Sequence, residues 1–70
     1  MRHNRQDNDL LRAVHYVAEG ELQIASQKQL IRNLRCKGRS TTQAEVILAA
    51  LERSHLQMRN YLEILRELKF

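Results

Sequence analysis

Proline is absent from this 70-residue chain and glycine occurs only at positions 20 and 38, so the backbone has very few places to turn. Long helices are the natural outcome. One stretch, Lys37-Gly38-Arg39-Ser40-Thr41-Thr42, combines several turn and cap signals. Gly38 follows an apolar-periodic segment ending in basic residues, and glycine accepts the left-handed conformation of a helix C-cap. Arg32, Arg35 and Lys37 complement the negative end of that helix. Ser40, Thr41 and Thr42 are N-cap candidates, and Thr42 with Glu45, or Ser40 with Gln43, fits the capping-box spacing. The expectation is one all-helical domain over 1–70: a helix over about 8–37 capped by Asp7, Asn8 or Asp9, a turn at 38–41, and a helix over about 42–68.

Heptad periodicity sharpens this. Positions 10, 13, 17, 20, 24, 27, 31 and 34 hold Leu, Ala, Val, Gly, Ile, Gln, Ile and Leu. Positions 44, 47, 51, 54, 58, 61, 65 and 68 hold Ala, Ile, Leu, Ser, Met, Tyr, Leu and Leu. Each row alternates steps of three and four, the signature of a coiled-coil seam. Folding at about residue 39 pairs Leu34 with Ala44, Ile31 with Ile47, Gly20 with Met58 and Leu10 with Leu68, always with numbers adding to 78. The fold class read from this is all-α, an antiparallel coiled-coil-like hairpin. Gly20 leaves an alternative open, a three-helix bundle broken there, because glycine inside a helix costs about 1 kcal/mol relative to alanine.

Apolar residues also lie beside the seam: Val14, Tyr16, Leu30, Leu48, Ala50, Leu62 and Ile64. Leu11, Leu22, Val46 and Leu56 lie further round. Two helices touch along one stripe, so much of this surface stays wet in a lone hairpin, and contiguous apolar patches of that kind mark interfaces. Pairing through a two-fold axis into a dimeric four-helix bundle is expected, with an unidentified protein partner as the other solution. The expected core and dimer interface comprises Leu10, Val14, Val17, Ile24, Ile31 and Leu34 on the first arm. On the second it comprises Ile47, Leu48, Leu51, Met58, Tyr61, Leu62 and Leu65.

Chemical motifs are scarce. In the 78 register His15 lies opposite Glu63 and His55 opposite Gln23, about 12 Å apart along the axis. That spacing is too long for one metal ion, though His55 is within reach of Glu21. Cys36 falls on the outer face between two basic residues, and a single cysteine suits a reducing, cytoplasmic setting. No nucleophile–base pair, glycine-rich phosphate loop or metal-ligand spacing is present, so no catalysis and no cofactor are expected. No run approaches the roughly 18 apolar residues of a membrane span.

Charge supplies a second lead. The net charge is +4, and residues 1–39 carry eight Lys/Arg against four Asp/Glu, whereas residues 40–70 carry four of each. Lys28, Arg32, Arg35 and Arg39 fall at helical spacing on one stripe, which suits phosphate contacts. Against nucleic acid stand the acids Glu45 and Glu52 at the start of the second arm and the absence of interleaved aromatics. The leading expectation is a helical oligomerisation or protein-interaction module, with a small basic nucleic-acid-associated protein as the alternative.

The pattern Ala18-Glu19-Gly20-Glu21, then Ile24, Gln27, Leu30-Ile31, Leu34, Gly38, Thr41 or Thr42, Ala44, Leu48, Leu51-Glu52 and Arg59 resembles a group of short uncharacterised helical proteins of rhizobia and related alphaproteobacteria. It covers most of the chain from about 15 to 68. Those proteins continue with a Gly-His-Asp-Thr turn and a His-Arg pair, where this chain has Gly38-Arg39-Ser40-Thr41 and Met58-Arg59. The resemblance implies a bacterial cytosolic origin and no particular activity.

Overall fold

The three-and-four spacing folds into two antiparallel helices, α1 (His3–Cys36) and α2 (Thr42–Glu67), in a computed structural model that describes the backbone of residues 3–68 and the side chains of 8–68. α1 passes through Gly20 without a break, which removes the three-helix alternative. It also starts earlier than expected: Asp7, Asn8 and Asp9 lie inside the helix, so none of them caps it. Among the described residues there is no strand.

The turn follows from Gly38. With φ of 69° it occupies the left-handed region, where an L side chain meets its own carbonyl. Its N–H donates to the Arg35 carbonyl (3.1 Å), and the Arg39 N–H donates to the Leu34 carbonyl (2.9 Å). This paired pattern is a Schellman motif, which satisfies carbonyls that the end of α1 leaves open. α2 opens differently from expectation, for neither capping box forms. Thr41 is the N-cap residue, but its hydroxyl donates to the Glu45 carboxylate at 2.6 Å rather than serving the backbone. The same carboxylate accepts from Arg35 of α1 at 3.3 Å, so Glu45 bridges the helices instead of turning back on its own.

The first seam is as read: all eight positions from Leu10 to Leu34 are buried or half-buried. The second differs. Its inward row is Ala44, Leu48, Leu51, His55, Met58, Leu62 and Leu65, so alternate members move one residue from the expected Ile47, Ser54 and Tyr61. Leu68, expected at the end of that row, is also exposed. Gly20 packs against His55 rather than Met58. That contact has numbers adding to 75 instead of 78, and the same shift brings Leu10 and Ala13 into one cluster with Leu62 and Leu65. The physical reason is room and water. Gly20 is the one seam position with space for an imidazole, and this row leaves the Tyr61 and Ser54 hydroxyls wet rather than stranded in an apolar seam.

Packing is thin but consistent. Ala13, Leu62 and Leu65 form a buried cluster against which Leu10 and Val17 pack, and Ile31 and Ala44 are buried nearer the turn. The half-buried Gln27 amide donates to the Ala44 carbonyl at 2.9 Å, so the one polar aliphatic seam residue is satisfied. The result is a rod, 55 × 15 × 13 Å, with a radius of gyration of 16.2 Å. A compact chain of this length would have about 11 Å.

Candidate association surface

A hairpin of two helices has two flanks, and here they differ in chemistry. On one, Lys28, Arg32 and Arg35 of α1 line a groove with Glu45, Ala49 and Glu52 of α2. On the other, Tyr16, Gln23 and Leu30 of α1 line three successive grooves with Ile47, Ser54 and Tyr61 of α2. Asp9, Arg12, Glu19 and Arg39 also line grooves of the second flank, so its charges come from α1 and the turn while α2 contributes none.

Helical spacing extends the apolar flank along α2. From Gln43 to Leu68 a row runs in steps of four and three through Ile47, Ala50, Ser54, Gln57, Tyr61 and Ile64. All eight are exposed, and none is charged. The row on the opposite side of α2 (Thr42, Glu45, Ala49, Glu52, Leu56, Arg59, Glu63, Arg66) carries five charges. In a chain that is 29% charged, an exposed row of eight without a charge is a candidate contact face.

The expected interface residues divide accordingly. Leu10, Val17, Ile24, Ile31, Leu34, Leu48, Leu51, Met58, Leu62 and Leu65 lie in the seam between α1 and α2. Val14, Ile47 and Tyr61 lie outside it, at 43%, 47% and 44% exposure. Ile47 and Tyr61 are part of the apolar flank; Val14 is exposed elsewhere on α1. What the sequence reading missed is that seam and flank on α2 are different rows, because apolar residues stand side by side at 47–48 and 61–62.

The basic stripe is split. Lys28, Arg32 and Arg35 share their groove with Glu45 and Glu52, and Arg35 pairs with Glu45. Arg32 donates to the Gln29 side chain at 2.7 Å. Arg39 lines a groove on the other flank beside Leu30 and Ile47, because α1 ends at Cys36 and the helical spacing no longer holds at 39.

The histidines also find other partners. His15 pairs with Glu19 on its own helix at 3.2 Å, not with Glu63. His55 Nε2 donates to the Val17 carbonyl at 3.2 Å, not to Glu21, since a carbonyl can only accept. Cys36 is exposed as read. Among the described residues no group of three or more His, Cys, Asp or Glu is placed to hold a metal ion, and no helix is long and apolar enough to cross a membrane.

Comparison with protein-family models, curated proteins and solved structures gives no match. The Glu19-Gly20-Glu21 element has a physical role in this chain, since Gly20 provides the space that His55 occupies.

Proposed function

We propose that this protein is a helical association module, acting by binding rather than catalysis in the cytoplasm. The observation that carries the proposal is the uncharged, exposed Gln43–Leu68 row of α2, with Tyr16 and Leu30 of α1 beside it. Exposed apolar residues arranged as a continuous patch, rather than scattered singly, mark interaction surfaces. The thin seam points the same way, since small domains that cannot enclose a sufficient core rely on oligomerisation, metals or disulfides. Here the single Cys36 allows no internal disulfide.

Nucleic-acid binding has weaker support. Two carboxylates line the groove that holds Lys28, Arg32 and Arg35, and Arg39 stands apart from them. Light scattering on the intact chain separates the readings. Association through the apolar flank gives a multimer at micromolar concentration in both low and high salt. A stably helical monomer there sinks the module reading, and salt-sensitive retardation of DNA or RNA would favour the alternative.

A further inference from the structure

We infer that the uncharged row of α2 packs antiparallel against the same row of a second copy of this chain, about a two-fold axis between Ser54 and Gln57. This rests on the association reading above and adds the face, the partner and the geometry. The row fits itself when read from its two ends. An axis between Ser54 and Gln57 sets Ile47 against Ile64, Ala50 against Tyr61, and Ser54 against Gln57, with Gln43 against Leu68 as the one unlike pair at the ends. Large faces small at the aromatic position, aliphatic faces aliphatic, and the central hydroxyl meets an amide able to satisfy it. That self-matching is what an isologous interface requires, because each contact occurs twice. An unrelated partner would impose no such symmetry on the row.

On the flank shared with Tyr16 and Leu30, charge favours α2 over α1 for this contact. The corresponding outer row of α1 includes Arg12 and Glu19, and the opposite row of α2 carries five charges. Interface cores are depleted in charge, and of these three rows only Gln43–Leu68 has none. The area agrees. The chain exposes 5866 Å², whereas a compact 8.3 kDa monomer exposes ~4,600 Å². Two copies hiding that excess would bury roughly 2,500 Å², within the range of obligate homodimers. Tyr16 and Leu30, on the same flank of α1, then edge the dimer contact.

Cysteine pairing tests the geometry on the full chain in a Cys36→Ser background. Ala50→Cys mixed with Tyr61→Cys should oxidise to a covalent pair between copies, while Leu22→Cys, on the outer surface of α1, should not cross-link. In sedimentation equilibrium, Ala50→Glu should weaken association about 100-fold, as a central hot-spot change does. Ala49→Glu, one residue round on the charged row, should leave it within about threefold, as a surface change does. Circular dichroism confirms that each variant is helical, and the cross-link decides should Ala50→Glu fail to fold. A multimer that forms no 50–61 cross-link, or that survives Ala50→Glu, overturns the α2 interface and leaves the module reading standing. A helical monomer at micromolar concentration removes both.

Discussion

Gly20 lies beneath the imidazole of His55, so close that a Cβ on residue 20 would stand 2.6 Å from His55 Cδ2. The ring is not free to swing away without cost, because its Nε2 is hydrogen-bonded to the Val17 carbonyl one turn earlier on α1. A glycine that weakens the helix locally thus creates the space in which the second arm locks against the first.

Replacing Gly20 with alanine sets two effects against each other. Helix propensity favours alanine by about 1 kcal/mol. Overpacking the ring costs about 1–3 kcal/mol, with about 1 kcal/mol more if the hydrogen bond breaks. Gly20→Ala is therefore predicted to destabilise the protein by up to about 3 kcal/mol, the difference of these terms. In a His55→Ala background the same change should stabilise by about 1 kcal/mol. Urea unfolding of the four proteins at one chain concentration measures the coupling. Equal gains in both backgrounds would contradict the contact.

The corrected seam makes its own prediction. Leu62 is 7% exposed and Leu22 is 70% exposed. Leu62→Ala should cost about 2–5 kcal/mol, as buried aliphatic truncations do. Leu22→Ala should stay within about 0.5 kcal/mol, as isolated surface changes do. Comparable losses at the two sites in chemical denaturation would mean that Leu62 is not in the seam.

At the turn, Gly38→Ala forces a Cβ into the left-handed region and should cost about 1–2 kcal/mol. No neighbouring atom lies near the added methyl, so the loss comes from backbone conformation alone. Asparagine, which tolerates that conformation better, should recover part of it. A Gly38→Ala protein as stable as the parent by thermal melting would remove the Schellman turn from the account.

The Arg35–Glu45 pair is more than half exposed on both sides, so screening by water leaves it little strength. Glu45→Gln should change stability by no more than about 1 kcal/mol, and the change should shrink with added salt. A larger, salt-insensitive loss would assign Glu45 a structural role beyond this bridge.

Much of the architecture was legible in the sequence, and the reasons are local. The absence of proline, the basic residues before Gly38 and the unbroken phase through Gly20 led to two long arms and one turn. The first seam was legible because its apolar residues keep one phase from Leu10 to Leu34 through Gly20 and Gln27. On α2 two rows compete, since Ile47 stands beside Leu48 and Tyr61 beside Leu62. Choosing between them depends on which arm offers space for His55, and that is a tertiary property. The same ambiguity hid the uncharged flank, whose members had been divided between core and surface. The capping boxes failed for a similar reason: Glu45 has a partner on α1 that no local spacing reveals.

The flank itself can be read without altering the chain. Its only tyrosines, Tyr16 and Tyr61, both line that surface, and the chain has no tryptophan. Iodide quenching of tyrosine fluorescence, followed as the protein is diluted through its association range, therefore reports directly on whether this face is covered. Strong protection is expected in the associated state, with quenching rising as the mass by light scattering falls toward 8.3 kDa. A multimer in which iodide quenches both tyrosines as fully as in the dilute chain would contradict it.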